Sequence, residues 1–339
     1  MTRLDGVGTV AVMFRRFLPL LLTALLLFGS AVRCPAPLIF TPGEGWRYEK
    51  VGSEGSWVRT RAKDQLEVAE RAFDEEDFSL AIKAARRTVN VWPFSDYAPR
   101  GQYLLGRCYE AKKQDEAAFK AYQKLIERYP KISNYGEIIL RQMAIANRFL
   151  AGQWFRAFNY IPLFPSMDKT IKLYDQIIKN GPYSEVSPQA QINIGNAHEN
   201  KFVSDYAEAA RAYERAADRY SDRKEGTDGL YRAGDTYFKQ AKKAEYDQSV
   251  AAQSIATFTD FTTLHPEDKR VTEAQKKMEQ LKTEQSRGSF DIARYYERHG
   301  KWEAAKIYYN DARAKDPNSK YAEEALQRID AITKHHPKP

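Results

Sequence analysis

The sequence predicts an all-α fold, a superhelical solenoid of about six helix pairs. Small residues recur twelve positions apart and a proline follows twelve positions later, as in Ala293, Ala305 and Pro317. Aromatic residues accompany them, here Tyr296 and Tyr309. A small residue lets two helix backbones approach closely and a ring fills the space beside it, so this spacing predicts a hairpin of two short helices. No stretch alternates with period two for long enough to predict a sheet.

The same spacing recurs along the chain. Two further stretches follow it closely, one with Ala69, Ala81 and Pro93, the other with Gly106, Ala118, Pro130, Tyr109 and Tyr122. Looser copies with longer turns begin near Ala146, Gly195 and Gly234. The pattern resembles the tetratricopeptide repeat, in which small, aromatic and proline positions recur over 34 residues. An ordinary helical bundle with alanines in register by accident is the alternative.

The solenoid is predicted to occupy residues 60–339. Its repeats are expected near residues 62–95, 99–132, 137–184, 188–222, 227–268 and 286–319. Within the last repeat, Gly300 is expected to take the left-handed conformation that ends a helix. Beyond Pro317, apolar residues on one stripe predict a C-terminal capping helix.

The N-terminal residues 1–33 resemble a secretory signal peptide, with Met13 as an alternative start. Two arginines follow Met13, then a mainly apolar run from Phe17 to Phe28, then small residues. The apolar run is short for a membrane-spanning helix, which needs about 20 residues. A permanent membrane anchor is the alternative.

Residues 34–59 are predicted to form a flexible tether, because the stretch from Pro35 to about Ser56 is rich in Pro, Gly and Ser and lacks helical periodicity. Cys34 stands where a bacterial lipoprotein carries its lipidated cysteine. Arg33 departs from the small residue expected before that cysteine, so cleavage after Ala31 is the alternative. Cys108 lies inside a repeat and is expected to be a buried thiol. Two cysteines so placed suggest neither a disulfide framework nor a zinc site.

Charge and motifs exclude several functional classes. The net charge is +8 with 29% charged residues of both signs, which indicates a mixed solvated surface and no nucleic-acid stripe. The sequence holds no phosphate-binding loop, dinucleotide fingerprint, zinc-binding His pair or nucleophile elbow. We therefore expect no enzyme, no metal and no cofactor.

The resemblance to tetratricopeptide repeats implies a partner groove along the first helix of each pair. Carried over position by position, the groove residues are Lys63, Leu66, Glu70 and Phe73 in the first repeat and Arg100, Tyr103, Arg107 and Glu110 in the second. Arginines beside aromatic rings suit a chain end or an extended segment, because guanidinium binds carboxylate and rings bind apolar side chains. Ordinary solvated helix residues are the alternative.

A second candidate contact is the aromatic insertion in the third repeat. It contains Trp154, Phe155, Phe158 and Phe164. Exposed apolar patches usually mark contacts, so partner or membrane contact is one interpretation. Packing against the core of the solenoid is the other.

Taken together, the signal sequence with Cys34, the tether and the repeats resemble the BamD family of outer-membrane assembly lipoproteins. The stretch "TEAQKKMEQLKTEQSRGSFDIARYYERHGKWEAAKIYYNDARAKDPNSKYAEEAL" is similar to that family's long helix followed by a Tyr-Tyr-containing repeat. The likeness covers most of residues 60–330. This sequence departs from the family at Arg33 and by about one repeat beyond the five expected.

The resemblance implies a periplasmic protein, lipid-anchored to the outer membrane of a Gram-negative bacterium. Its partners would be a BamA-like barrel assembly protein and nascent outer-membrane proteins. The N-terminal groove would handle substrate segments, and a C-terminal partner face with Arg294, Glu297 and Arg298 would dock the barrel protein. The alternative is a generic periplasmic repeat lipoprotein that scaffolds a cell-wall, secretion or pilus complex.

Overall fold

The structure is a computed structural model. It describes residues 38–41, 45–48, 57–157, 161–162, 165–200, 203–243 and 248–336. The predicted signal peptide and Cys34 lie outside the described residues.

Thirteen helices fill the described part of the chain. They are α1 Ala62–Asp74, α2 Phe78–Val91, α3 Ala98–Ala111, α4 Asp115–Arg128, α5 Tyr135–Leu150, α6 Met167–Asn180, α7 Ser187–Glu199, α8 Tyr206–Arg219, α9 Lys224–Lys243, α10 Gln248–Leu264, α11 Val271–Arg298, α12 Trp302–Lys315 and α13 Lys320–His335. Successive helices pack as six antiparallel pairs, and α13 covers the last pair. The predicted all-α tetratricopeptide-repeat solenoid is confirmed.

The small residues stand where an aromatic ring of the paired helix touches the backbone. A Cβ added to Gly106 would lie 2.2 Å from Cε1 of Tyr122, and one added to Gly195 would lie 2.3 Å from Cε1 of Tyr213. Both rings are fully buried. The absence of a side chain at these glycines therefore sets how closely the two helices of a pair approach.

The turn inside a helix pair repeatedly uses the left-handed region. Gly300 has φ +69°, as predicted, and Gly152 has φ +103°. Glu76, Lys113 and Ser204 take positive φ at the corresponding turns. A left-handed residue is a common way to end a helix, so the turn geometry is retained even where glycine is not.

Tyrosine hydroxyl groups of one helix pair contact backbone carbonyl oxygens in the turn that precedes that pair. Tyr129 Oη donates to the carbonyl oxygen of Pro93 at 2.9 Å, and Tyr220 Oη stands 3.5 Å from that of Pro182. The residues after these two prolines, Phe94 and Tyr183, are almost fully exposed.

Four short strands interrupt the helical pattern. β1 Leu38–Thr41 pairs antiparallel with β2 Gly45–Tyr48, inside the predicted tether. β3 Arg156–Ala157 pairs with β4 Ile161–Pro162 in the insertion of the third repeat. Strands of four and two residues are too short to show an alternating pattern, so the sequence did not predict them, and they leave the all-α class unchanged. No helix among the described residues has the length and apolar character needed to cross a membrane.

The close approach at Gly106 generates a stability prediction. Gly106→Ala should lower the free energy of unfolding by about 1 to 3 kcal/mol, because the new methyl group overlaps the ring of Tyr122. Chemical denaturation followed by circular dichroism would measure the change.

Gly136 is the matched control. It lies near the start of α5, and a Cβ added there meets nothing within 4 Å. Gly136→Ala should leave stability unchanged or raise it by up to about 1 kcal/mol, since alanine favours the helix. Equal effects of the two substitutions would contradict the proposed role of Gly106.

Candidate protein-binding site

The first helices of successive pairs form one continuous wall. α1 packs on α3, α5 on α7, α7 on α9, α9 on α11, and α11 on α13. α3 and α5 are joined by the ion pair of Glu110 with Arg141 at 3.1 Å. Their side chains therefore meet across the junctions between pairs. The residues predicted to form the partner groove lie on this wall.

A buried tyrosine, a glutamate and a cation recur at three of the junctions. Tyr122 Oη on α4 donates to Glu110 on α3 at 2.6 Å, and Arg141 on α5 contacts the same carboxylate at 3.1 Å. Tyr213 Oη donates to Glu199 at 2.8 Å, and Lys239 contacts Glu199 at 3.0 Å. We call each such trio a tyrosine clamp. Its cation always comes from the next helix pair or from α13.

The third tyrosine clamp closes the C-terminal end. Tyr309 Oη donates to Glu297 at 2.5 Å, and Arg328 on α13 binds both oxygens of that carboxylate. Burial raises the pKa of Tyr309, and the hydrogen bond to Glu297 raises it further. The pKa values of Tyr122 and Tyr213 are raised for the same reasons. All three hydroxyl groups therefore remain protonated donors.

The tyrosine clamps alternate with helix pairs of a different chemistry. The glutamates stand four residues after Gly106, Gly195 and Ala293, in the second, fourth and sixth pairs. The corresponding positions of the other pairs are apolar: Phe73, Leu150 and Phe238. In the fifth pair the ring beside Gly234 is Phe258, which needs no acceptor. The third pair keeps a tyrosine, Tyr174, whose hydroxyl donates to Asn147 at 2.7 Å.

Two glutamates assigned to binding faces therefore have bonding partners within the protein. Glu110 also accepts from Arg148 at 3.4 Å, and Glu297 has both oxygens bound. Their carboxylates already have partners inside the protein, so a binding partner would have to compete with those bonds, and their assignment to partner contact stays a prediction. The cations Arg141 and Arg148 were missed, because nothing near them in the sequence indicates which carboxylate they reach.

The exposed charged residues of the predicted N-terminal groove form ion pairs on the surface of the protein. Arg100 forms an ion pair with Glu70 at 2.7 Å, and Lys63 lies 3.9 Å from Glu67. These pairs are solvent-exposed and can exchange for another anion at little cost. Leu66 is 2% exposed and belongs to the core. Its assignment to the groove was wrong, because its side chain faces the second helices.

Arg107 differs from its neighbours because no carboxylate in the described part of the chain binds it. Its guanidinium carbon lies 5.3 Å from the ring centre of Phe73 and 6.0 Å from that of Tyr103. No ion pair or hydrogen bond of its side chain is present among the described residues. Tyr103 is itself fixed, since its hydroxyl donates to Glu137 and that bond holds the pKa of Glu137 below its usual range. Arg107 is thus an oriented cation with unused donors.

The aromatic insertion divides between core and surface. Phe155 is 3% exposed and stacks on Phe149 with ring centres 4.0 Å apart. Its assignment as a contact residue was wrong, because the ring completes the core of the third pair. Trp154 is half exposed and stays a predicted contact. Phe158 and Phe164 lie outside the described residues.

At the C-terminal partner face, Arg294 and Arg298 are exposed on the last turns of α11. Arg298 Nε donates to the carbonyl oxygen of Arg294 at 3.3 Å. Cys108 is buried as expected, and burial raises its thiol pKa to about 12. That thiol is consequently unreactive at neutral pH.

These features define a tetratricopeptide-repeat protein, a class of helical scaffold that binds other proteins and is not typically enzymatic. The sequence profile of that repeat matches residues 100–131. The profile of an outer membrane lipoprotein family, YfiO, matches residues 166–336, half of the chain. The chain belongs to this outer membrane lipoprotein family, and the predicted resemblance is confirmed.

Solved structures with similar repeats show low overall likeness. The C-terminal part of a repeat protein from Cytophaga hutchinsonii is 16% identical, with 78% of this chain and 88% of that chain covered and a TM-score of 0.34. A repeat protein from Thermus thermophilus is 11% identical, with 64% and 99% covered and a TM-score of 0.28. A search of curated protein sequences gave no significant match.

The tyrosine clamp generates a second stability prediction. Tyr122→Phe should lower the free energy of unfolding by about 1.5 to 3 kcal/mol, because a hydrogen bond to a charged acceptor is lost inside the protein. Thermal and chemical denaturation would measure it. Tyr183→Phe, which removes the same atom from an exposed ring, should change nothing. A cost of less than about 0.5 kcal/mol for Tyr122→Phe would contradict the structural role of the tyrosine clamp.

Proposed function

We propose that the protein is a periplasmic scaffold of the outer-membrane β-barrel assembly machinery, and that it helps to fold and insert outer-membrane proteins. Membership of the outer membrane lipoprotein family supports the location. The repeats and their continuous wall of first helices support protein binding as the activity. The proposed partners are a BamA-like barrel assembly protein and nascent outer-membrane proteins.

The observation that best supports a substrate groove at the N-terminal end is the orientation and bonding of the Arg107 side chain. Two aromatic rings fix its direction, and its donors have no acceptor among the residues that the structure describes. A carboxylate or a backbone carbonyl of an extended segment can accept from it, while Phe73 and Tyr103 contact neighbouring apolar side chains. Arg100 adds a second cation seven residues earlier on the same helix once Glu70 releases it. The work done is binding and positioning, with no bond made or broken.

A generic periplasmic scaffold for a cell-wall, secretion or pilus complex is the second candidate. It would use the same repeats and the same anchor. The two functions differ in which protein accompanies the chain when the envelope is dissolved in detergent. Recovery of a barrel assembly protein with the chain favours the first, and recovery of cell-wall enzymes or pilus subunits without it favours the second.

The groove is tested by reversing its charge. Arg100→Glu combined with Arg107→Glu should reduce capture of unfolded outer-membrane proteins at least fivefold, because both proposed cations become repulsive to carboxylates. Capture can be measured by pull-down with the purified full-length chain, and circular dichroism should be unchanged.

Lys120 and Lys124 supply a matched control. Both are exposed on α4, a second helix, so Lys120→Glu with Lys124→Glu changes the net charge equally but away from the groove. This control should capture substrate like the unmodified protein. Equal capture by the groove variant and the control would contradict the proposed site.

The anchor is tested by mass spectrometry of the mature N-terminus. A diacylglyceryl group on Cys34 is expected, and Cys34→Ala should release the protein from the membrane fraction. A mature chain that begins after Ala31 and carries no lipid would contradict the anchor and leave the groove unaffected.

A further inference from the structure

A pocket of about 420 Å³ lies between α11, α12 and α13 at the C-terminal end of the solenoid. Phe290 and Tyr309 form its buried floor, and Trp302 lines one side. The ring of Trp302 is stacked on that of His336, with centres 3.8 Å apart. The floor and this wall are therefore fixed by packing.

One carboxylate of the pocket is already neutralised. Glu297 is bound by Tyr309 and Arg328 in the third tyrosine clamp. The hydrogen bond to Glu297 raises the pKa of Arg328. The Glu297–Arg328 pair has no net charge with which to attract a ligand. Its role in the pocket is to position the wall.

The remaining charged groups stand on two helices. Arg294 and Arg298 are one helical turn apart on α11, and Glu324 is on α13. None of the three forms an ion pair within the part of the chain that the structure describes. Two unpaired guanidinium groups and one unpaired carboxylate thus line the same cavity.

Such an arrangement favours a ligand that carries charges of both signs. A carboxylate is attracted by the two arginines, which bind it with paired donors. Glu324 repels a second negative charge and attracts a cation. A strongly anionic group such as a phosphate would meet Glu324 without compensation, so the lining disfavours it.

We propose that this pocket binds a segment of a partner protein in which an acidic side chain stands next to a basic one. The acidic side chain binds Arg294 and Arg298, and the basic side chain binds Glu324. The stem of the basic residue lies against Trp302. This inference rests on the proposed function, because it gives the ligand chemistry of the C-terminal partner face.

Four peptides with the full-length chain test the inference. They are a capped peptide with adjacent Asp and Lys, the same peptide with Asn for Asp, the same with Gln for Lys, and an Asn-Gln peptide that is capped at its N-terminus only and so carries just a chain-end carboxylate. Binding can be followed by NMR of arginine side chains. The Asp-Lys peptide should bind at least fivefold more tightly than each of the others.

Two variants assign the contacts. Arg294→Gln with Arg298→Gln should remove the preference for Asp over Asn, and Glu324→Gln should remove the preference for Lys over Gln. Lys282→Gln, exposed on the same helix outside the pocket, is the control and should keep both preferences. Equal binding of all peptides, tighter binding of the chain-end peptide, or preferences that survive the variants would overturn the inference.

The outcome is separable from that of the proposed function. The peptides test only the C-terminal pocket, whereas capture of outer-membrane proteins tests the N-terminal groove. Loss of peptide discrimination with intact groove binding would refute the pocket alone. Intact discrimination with no capture of outer-membrane proteins would refute the proposed function alone.

Discussion

The hydrogen bond from a buried tyrosine hydroxyl to a glutamate determines much of this solenoid. A hydroxyl removed from water needs an acceptor, and Glu110, Glu199 and Glu297 supply one. A partly buried carboxylate needs a cation in turn, and that cation comes from the following helix pair or from α13. Filling the space inside one pair thereby fixes the position of the next. In these three pairs, the hydrogen bond that holds the pair together also positions the carboxylate that binds the next helix.

This requirement also decides which charges are available to a partner. The glutamates of the tyrosine clamps and the cations that bind them are committed to the fold, so partner recognition is left to the others. The guanidinium of Arg107 is positioned by the rings of Phe73 and Tyr103 and not by a carboxylate. Arg294 and Arg298 follow the buried Ala293 on α11 but lie outside its tyrosine clamp. Exposure alone does not distinguish these arginines from Arg100 or Arg141. What distinguishes them is that no carboxylate among the described residues binds them.

The fold could be predicted from the sequence because helix pairs leave a periodic signal. The twelve-residue spacing of small residues and the glycine at position 300 both reflect local geometry. The roles of Glu110 and Glu297 could not be predicted, since they depend on a cation 31 residues further along the chain in each case. Phe155 was misassigned for a related reason. An aromatic residue in an irregular segment looks exposed until its partner, here Phe149, is known.

The two ends of the solenoid differ in how they present positive charge. The difference bears on which kind of partner each end suits. At the N-terminal end, Arg107 is oriented by rings, and its neighbouring acids are engaged with other cations. This favours anionic and apolar segments with little selectivity. At the C-terminal end, Glu324 faces Arg294 and Arg298 across a pocket, which demands charges of both signs in one ligand. A permissive site suits many unfolded clients, whereas a demanding site suits one permanent partner. The helix pairs between the two sites pack on one another, and tyrosine clamps join the second pair to the third and the fourth to the fifth. A partner seated at the C-terminal end would therefore hold the groove at a set distance from itself.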